Sequence, residues 1–250
     1  MITFKNVSSG YGKKQILSEI SLSFSKGKVT AIVGPNGSGK STLLKTAVSF
    51  LNVFCGEIYV GEKPLLSLSR KEIAKRIAYL PQSKTTPDMT VGQMILHGRF
   101  PHISYPRDYS EKDRKIADEA AKKVGLSVPS DTRLEALSGG MRQLCYIAMA
   151  LAQDTEYILL DEPTTYLDIS HQISLMKLLK DLADDRKGIV TVMHDLPFAF
   201  TFADEIVVMC DGKVALCGKP EEIHKNHLIK DVFGVELRYN ENEKVYEYKY

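Results

Sequence analysis

The segment GPNGSGKS, residues 34–41, constrains the fold of this 250-residue chain more than any other stretch. It matches the pattern G-x-x-x-x-G-K-[ST], follows apolar residues 27–34 that predict a buried strand, and opens a segment at 40–50 that predicts a helix. Glycines let successive backbone N–H groups of such a turn converge on an anion, and the N-terminus of the following helix adds partial positive charge. The segment therefore predicts a phosphate-binding loop between a strand and a helix.

Further apolar segments indicate that this loop belongs to an α/β domain. Helices are predicted at residues 170–182 and 196–203. Buried strands that alternate with helices are typical of a parallel sheet covered on both faces. The additional strands, predicted from short continuous apolar runs, lie at residues 156–162, 188–195 and 205–212.

The middle of the chain has a different character. Residues 90–153 are predicted to be mostly helical, with Ser110 capping one helix and Gly125 ending it. We therefore expect a single domain over residues 1–250, in which a helical subdomain is inserted into a catalytic α/β core formed by 1–89 and 154–250. The predicted helices of the insertion lie at 91–98, 110–124 and 140–153.

Both ends of the chain predict strands. Residues 2–7 alternate in hydropathy, as a half-buried strand does. The tail VELRYNENEKVYEYKY alternates on both sides of residues 240–243, which predicts a terminal β-hairpin as part of the core.

Composition argues against several classes of protein. The formal net charge of +2 is too balanced for a nucleic-acid-binding surface or a polybasic membrane patch. No signal peptide is seen, and no apolar run approaches the ~20 residues of a membrane-spanning helix. Cys145 and Cys210 lie in apolar segments and are predicted to be buried free thiols, which fits a reducing compartment. We expect no nucleic acid partner and, for work at a membrane, attachment through partner proteins.

Polar residues at the ends of the predicted strands indicate phosphate chemistry. Lys40 is placed to reach the terminal phosphates of a nucleotide, and the Ser41 hydroxyl to bind Mg²⁺. Asp161 ends a buried strand, where it can hold Mg²⁺, usually through water. Glu162 follows it and points to the opposite side of the strand, so we assign it as the base that orients attacking water.

Two further polar residues leave alternatives open. His194 ends the next apolar strand, where it can contact a γ-phosphate or serve the structure alone. Its strand is adjacent in order to the one carrying Glu162, which favours the phosphate contact. Gln82, in AYLPQ, can bind Mg²⁺ or water, or simply lie on the surface.

Taken in order, these motifs resemble the ATP-binding subunit of an ABC transporter over nearly the whole chain. The resemblance implies a P-loop NTPase core, which is a mostly parallel sheet with flanking helices and an N-terminal antiparallel β part. It implies ATP and Mg²⁺ as cofactors, with Glu162 and His194 as catalytic residues. LSGG, residues 137–140, is similar to the family's signature motif, and YLD, with Asp168, to its D-loop.

The resemblance also assigns binding residues. Those implied to bind metal are Ser41, Gln82 and Asp161. Those implied to bind nucleotide are Tyr11, which resembles the adenine-stacking aromatic residue, the Walker A residues Gly34, Pro35, Asn36, Gly37, Ser38, Gly39, Lys40, Ser41 and Thr42, the Q-loop residue Gln82, the signature residues Ser138, Gly139 and Gly140, the Walker B residue Asp161, and Asp168.

In this family two subunits pair head to tail, so that each ATP lies between one subunit's Walker A loop and the other's signature motif. The resemblance therefore implies a second copy of this chain as partner, with Ser138 and the N–H groups of Gly139 and Gly140 binding the γ-phosphate in trans. It also implies two polytopic permease subunits, each docking a coupling helix. The expected location is cytoplasmic, peripheral on the inner face of the cell membrane.

A subfamily is indicated as well. LHGRFPH, residues 96–102, is similar to an element of ATPases that serve importers of iron chelates, haem and cobalamin. Residues 148–172 and 194–209 resemble the same group, most of all the siderophore importers. The expected function is ATP hydrolysis that powers import of such a ligand through a membrane permease, with an external substrate-binding protein as an indirect partner. A surface loop ended by proline is the alternative explanation of GRFPH.

The chain departs from the family beside the signature. Met141 stands where Gln is common, and Leu144 where Arg is common. Methionine cannot hydrogen-bond as an amide does, but the backbone donors survive. We expect weakened rather than abolished binding in trans.

Other ABC ATPases supply the alternative functions. Repair and chromosome-organising types need long coiled coils between Walker A and the signature, and no sustained heptad run occurs here. Translation types usually carry two cassettes on one chain, and exporters often fuse to membrane helices and lack the GRFPH element. A degenerate, non-catalytic subunit is disfavoured by the intact Lys40, Asp161, Glu162 and His194.

Overall fold

The structure, a computed structural model, describes residues 1–82, 86–104 and 108–249. The strands in it are β1 (Ile2–Tyr11), β2 (Lys14–Phe24), β3 (Lys28–Val33), β4 (Val53–Val60), β5 (Lys63–Pro64), β6 (Ile77–Leu80), β7 (Tyr157–Asp161), β8 (Gly188–Val192), β9 (Glu205–Cys210), β10 (Lys213–Gly218), β11 (Glu236–Asn240) and β12 (Val245–Lys249). The helices are α1 (Lys40–Ala47), α2 (Arg70–Ala74), α3 (Val91–His97), α4 (Glu111–Lys123), α5 (Gly139–Ala152), α6 (Ile169–Asp184), α7 (Leu196–Phe202), α8 (Pro220–His224) and α9 (Leu228–Phe233). Short 3₁₀ turns lie at Leu65–Ser67, Phe100–His102 and Leu134–Ala136.

A six-stranded sheet in the order β10-β9-β3-β8-β7-β6 forms the centre of the fold. Its strands pair in parallel from β9 to β6, and β10 runs antiparallel to β9. Every residue of β7 and β8 is buried, as expected for strands covered on both faces. The predicted parallel sheet is confirmed. Because parallel strands end along one edge of a sheet, the residues that follow β3, β6, β7 and β8 are brought together there.

A second sheet holds the N-terminal part of the chain. Its strands pair antiparallel in the order β2-β1-β4-β5, which confirms the expected N-terminal antiparallel part. Phe4 and Phe24 of this sheet share a hydrophobic cluster with Leu43 and Leu44 of α1 and with Val190 of the central sheet. Helix α1 is thus packed between the two sheets, and this packing fixes the position of the phosphate loop that precedes it.

Helices α3, α4 and α5 pack on one another, and α5 also contacts β6. Thr90 and Ser110 cap α3 and α4 by accepting the backbone N–H three residues further on. Gly125, at φ +70°, lies just beyond the end of α4. The three predicted helices are therefore confirmed with small shifts at their ends. The division of the domain into 1–89, 90–153 and 154–250 stays a prediction.

The terminal hairpin is confirmed. Strands β11 and β12 pair antiparallel, from Asn240 opposite Val245 onwards. The ring of Tyr246 lies with its centroid 5.4 Å from that of Phe200 and 5.3 Å from that of His224. The hairpin therefore packs against α7 and α8.

Two details differ from expectation. The helix predicted at 40–50 ends at Ala47, because Val48 leaves helical geometry and Ser49 adopts φ +59°. Cys145 is a buried free thiol as predicted. Cys210 is also a free thiol, but its predicted burial is wrong. Cys210 is the last residue of β9, where it is half-buried and its Sγ donates to the Asp211 carboxylate.

Within the described ranges, none of the helices combines the length and apolarity needed to cross a bilayer.

Candidate active site

The loop between β3 and α1 encloses the side chain of Lys40. Gly37 and Gly39 adopt φ of +81° and +99°, in the left-handed region that glycine accepts readily. The Lys40 ammonium is buried and donates to the carbonyl oxygens of Gly34 and Pro35 at 2.8 and 2.9 Å. Burial lowers the pKa of Lys40. Phosphate oxygens would be stronger acceptors for this cation than two neutral carbonyls.

The remaining loop residues close the turn. Ser38 is buried and donates its backbone N–H to the Pro35 carbonyl at 3.2 Å. Thr42 is buried on α1, where its carbonyl accepts from the Thr46 hydroxyl at 2.7 Å. The backbone of this loop is therefore held by its own residues before any ligand arrives.

Ser41 and Asp161 meet where α1 begins and β7 ends. The Ser41 hydroxyl donates to Oδ1 of Asp161 at 3.0 Å, and the Tyr79 hydroxyl donates to Oδ2 at 3.5 Å. Asp161 is 2% exposed, and this burial raises the pKa of its carboxyl group. A hydroxyl and a buried carboxylate are oxygen donors of the kind that Mg²⁺ prefers, so this pair fits the expected metal.

Glu162 and His194 are brought together by neighbouring strands. Glu162 directly follows β7, His194 follows β8 by two residues, and the two strands are paired. Oε1 of Glu162 is hydrogen-bonded to Nε2 of His194. Glu162 has φ +53°, a left-handed conformation that costs a non-glycine residue of the order of 1–3 kcal/mol. The contact with His194 is thus made from a strained backbone position just beyond the strand.

A cleft of about 690 Å³ unites most of the predicted site residues. Tyr11, at the end of β1, is 45% exposed on its wall. Lys45 of α1 donates to the Tyr11 hydroxyl at 3.2 Å and thereby restrains the ring. The lining residues are Tyr11, Ile16, Asn36, Gly37, Gly39, Lys40, Ser41, Thr42, Gln82, Glu162 and His194.

The signature residues form the N-terminus of α5. Ser138 is the N-cap, and its hydroxyl accepts the backbone N–H of Met141 at 3.2 Å. A Cβ on Gly140 would lie 3.1 Å from the Tyr166 carbonyl oxygen, and one on Gly139 would lie 3.4 Å from the Tyr166 Cβ. Glycine is therefore what allows the D-loop to approach this helix end so closely.

Asp168 has a structural task within the chain. It is the N-cap of α6, and its carboxylate accepts the backbone N–H of His171 at 2.9 Å. Hydrogen bonds from His171 and Ser170 lower the pKa of Asp168 to about 2. An interface role for Asp168 stays a prediction.

Gln82 is exposed two residues after the end of β6 and borders two clefts. One is the nucleotide cleft. The other, of about 390 Å³, is lined also by Gly139 and Arg142 of α5 and by Tyr166. Of the predicted site residues, Gln82 is thus the one that borders both the cleft of the phosphate loop and the cleft beside the signature helix.

The two departures from the family have different settings. Leu144 is 3% exposed and lies in the hydrophobic cluster that α3, α4 and α5 share with the central sheet. Burying an unpaired arginine charge there would cost folding free energy. Met141 is partly buried against the same cluster. Leucine at 144 therefore supports packing, whereas Met141 lies beside the exposed signature residues.

Three side chains near the site were not anticipated from sequence. They are Lys45, Tyr79 and Tyr166, the last 77% exposed at φ +70°. Lys45 lies four residues after Ser41, which is one helical turn, so its proximity could have been predicted. The contacts of Tyr79 and Tyr166 join distant segments and depended on the fold.

Comparison with known proteins agrees with this geometry. Residues 17–165 match the ABC transporter family. The petrobactin import ATP-binding protein FpuD of Bacillus anthracis is 41% identical over 236 residues, which are 94% of this chain and 86% of that protein. The iron(3+)-hydroxamate import ATP-binding protein FhuC of Bacillus subtilis (strain 168) is 40% identical over 229 residues, 91% of this chain and 85% of that protein.

Solved structures give the same result for the fold. The dimeric structure of MJ0796, a bacterial ABC transporter cassette, superposes with a TM-score of 0.77 at 30% identity, covering 88% of this chain and 99% of that one. The phosphate loop, the two carboxylates at the end of β7 and the capped signature helix thus stand in a fold shared with that cassette. With this agreement in sequence and in fold, the chain belongs to the ABC transporter family of ATP-binding proteins.

Proposed function

We propose that this chain hydrolyses ATP to power import of an iron chelate through a membrane permease. The observation that carries the proposal is the Glu162 carboxylate, which His194 holds in the same cleft as the phosphate loop. Hydrolysis needs a base beside a phosphate site, whereas nucleotide binding alone does not. The relatives named for petrobactin and iron(3+)-hydroxamate import support the choice of cargo.

ATP binding would exchange the internal contacts of the loop for contacts with phosphate. Lys40 leaves the Gly34 and Pro35 carbonyls for the terminal phosphates, while the N-terminus of α1 stabilises the negative charge. The adenine would stack on the Tyr11 ring, whose side chain is nearly half exposed on the wall of the cleft. Asn36 and the loop glycines line the path between these two contacts.

Ser41 and Asp161 would hold Mg²⁺, with Gln82 at the rim of the same cleft. Bound there, the cation would neutralise charge on the phosphates of ATP. The Ser41 hydroxyl is already beside the Asp161 carboxylate, so the two donors need little rearrangement to face one ion. Tyr79 restrains the other carboxylate oxygen.

Glu162 would act on the attacking water. It accepts a hydrogen bond from the water, orients it towards the γ-phosphate and polarises it. His194 keeps the carboxylate in place, and its ring, which also lines the cleft, would contact the γ-phosphate of bound ATP. The strained backbone at Glu162 is consistent with a residue held for function.

The signature motif would act in a second copy of the chain. The N–H groups of Gly139 and Gly140 and the hydroxyl of Ser138 lie at an exposed helix start, which favours an anion. Two copies paired head to tail would each supply this start to the other's ATP, with Asp168 at the interface. The dimeric cassette MJ0796 supports such a pairing.

A groove between α2, β6 and the turn after α3 is our proposed docking site for the permease. It has a volume of about 600 Å³ and exposes Phe50 and Phe100, which are 69% and 43% accessible. Arg70 stands on its lining. The complementary partner is a short cytoplasmic helix with an apolar face and an acidic residue opposite Arg70. Each of the two polytopic permease subunits would present one such helix to one copy of this chain.

In this arrangement the chain would lie on the inner face of the cell membrane, held there by the permease. An external substrate-binding protein would contact the permease from the other side and would meet this chain only indirectly. The proposed cargo class is a siderophore, with haem and cobalamin as the related ligands to test.

Uptake by a deletion strain tests the proposal. Wild-type chain, Glu162→Gln and the exposed hairpin-turn control Glu241→Gln would be returned on a plasmid. Radiolabelled uptake would then be measured for hydroxamate and catecholate iron chelates, haem and cobalamin. We expect the wild type and Glu241→Gln to restore uptake of one class, and Glu162→Gln to restore none at equal expression. Unchanged uptake of all four ligands in the deletion strain would refute an importer of this class.

A further inference from the structure

The GRFPH turn, residues 98–102, lies against the C-terminal end of α5. Gly98 caps α3, and a Cβ there would lie only 2.2 Å from the carbonyl oxygen of Met149. No side chain fits in that space without displacing the α5 backbone. The glycine thus brings the turn into direct contact with the helix whose other end carries the signature.

Arg99 and His102 bind the carbonyls at that helix end. The Arg99 guanidinium donates to the Ala152 carbonyl at 2.8 Å, and Nε2 of His102 lies 2.8 Å from the Gln153 carbonyl. The last carbonyls of a helix lack partners within the helix, and they carry partial negative charge. Arg99 and His102 therefore satisfy groups that the helix itself leaves open.

Arg99 is also held firmly from its other side. Its Nε donates to Oδ1 of Asp113 at 2.9 Å, and both side chains are largely buried. Hydrogen bonds from Ser110, together with the Arg99 contact, lower the pKa of Asp113 to about 2. The Asp113 carboxylate therefore stays ionised at neutral pH, and its contact with Arg99 joins the turn to α4 as well as to α5.

The same helix end is attached to the central sheet. The Gln153 side-chain amide donates to the carbonyl oxygens of Ala74 and Ile77 at 2.6 and 3.2 Å. Ile77 begins β6, and Gln82 follows that strand. The end of α5 therefore connects the packed helices α3, α4 and α5 with the GRFPH turn and with β6, the strand that leads to the nucleotide cleft.

The turn also faces the proposed docking groove. Phe100 and Pro101 line it beside Met149 and Gln153 of the helix end. Helix α5 then runs 14 residues, about 21 Å at 1.5 Å per residue, between this junction and the signature glycines. A partner in the groove would contact one end of a rigid element whose other end is the trans half-site.

We propose that Arg99 and His102 are positioning residues for the signature motif, acting through α5. They hold the helix in the orientation in which Ser138, Gly139 and Gly140 complete the nucleotide site of the second copy. A permease helix that binds against Phe100 and Pro101 would change how Arg99 and His102 hold α5. Permease docking would thereby be coupled to ATP binding in trans. The inference rests on the ATP-driven dimer proposed above.

The test separates ATP binding within one chain from ATP-driven pairing. In a Glu162→Gln background, Arg99→Met would be compared with the parent and with Arg114→Met, an exposed α4 residue of the same charge. Light scattering against ATP concentration measures dimer formation, and a fluorescent ATP analogue at low protein concentration measures monomer affinity. We expect Arg99→Met to need at least fivefold more ATP for half-dimerisation, with monomer affinity within twofold of the parent.

Two further variants should shift the ATP concentration at half-dimerisation by less. His102→Ala, which removes one carbonyl contact, should shift half-dimerisation by a smaller factor. Asp113→Asn leaves the Arg99 contact with Ala152 in place and should shift it least. Arg114→Met should match the parent in both measurements.

The contrary outcomes are distinct. Unchanged dimerisation by a folded Arg99→Met chain overturns the inference, and so does an equal loss of monomer affinity, which would indicate general destabilisation. Should Arg99→Met not fold, His102→Ala decides by the same two measurements. A Glu162→Gln parent that binds ATP but forms no dimer refutes the proposed head-to-tail function instead.

Discussion

The nucleotide cleft and the signature end of α5 differ in how complete they are within one chain. At the cleft three charged groups already have partners: Lys40 has two carbonyls, Asp161 has Ser41, and Glu162 has His194. At the signature, an exposed serine and two glycines begin a helix beside the D-loop and present backbone donors to solvent. Under the proposed function, one copy preorganises the groups assigned to catalysis, whereas the signature forms a second anion site that needs another copy to be used.

Glu162→Gln should produce the largest separation between the two regions. The amide keeps the size of the side chain but cannot act as a base, so ATP turnover should fall by about 10²- to 10⁴-fold. ATP binding and ATP-driven pairing should persist, because neither the phosphate loop nor the signature is altered. Steady-state phosphate release and light scattering measure the two effects. Near-normal turnover would remove Glu162 as the base.

Lys40→Ala should disable the cleft alone. Loss of the buried ammonium removes charge-assisted hydrogen bonds to phosphate, and monomer affinity for ATP should weaken roughly 100-fold. Titration with a fluorescent ATP analogue measures it. Ser138→Ala is the matched control, because it alters the other region and should leave monomer affinity unchanged. An unchanged affinity in Lys40→Ala would contradict the assignment of the phosphate loop.

Met141→Gln should have the smallest effect, and it tests what position 141 contributes to the signature half-site. One added neutral hydrogen bond is worth about 0.5–1.5 kcal/mol, so ATP-driven pairing should be maintained or strengthened by roughly two- to tenfold. The ATP concentration at half-dimerisation in the Glu162→Gln background reports this change. A sharp loss of pairing would show instead that Met141 is an adapted contact.

Much of the fold followed from local patterns. The strand, glycine turn and helix around residues 34–41 were predictable because the motif specifies its own context, and the capped helices α3 and α4 because their caps are local. Strands β2, β4, β5, β6 and β10 were not predicted. They are short or amphipathic, so pairing rather than pattern defines them. The partners of β4 and β6 lie far along the chain, whereas β2, β5 and β10 each form a hairpin with the strand before them.

The site shows the same division. Lys40, Asp161, Glu162 and His194 could be selected because each stands at the end of a predicted strand or in the loop that follows one. The contact of Arg99 with Ala152 spans 53 residues, and that of Gln153 with Ile77 spans 76. No local rule connects such positions. The sequence therefore identified the GRFPH element only by its resemblance and did not predict its contacts.

The sequence by itself determined the chemistry proposed for this protein: a phosphate loop, two carboxylates assigned separate tasks, a histidine and a glycine-rich helix start, all in fixed order. These depend on residue type and on neighbours within one turn or one strand. Only the tertiary structure decided what Leu144 and Cys210 do and how the GRFPH turn holds the far end of the signature helix. The reason is physical, since burial and the partners of helix ends depend on which distant segments pack together.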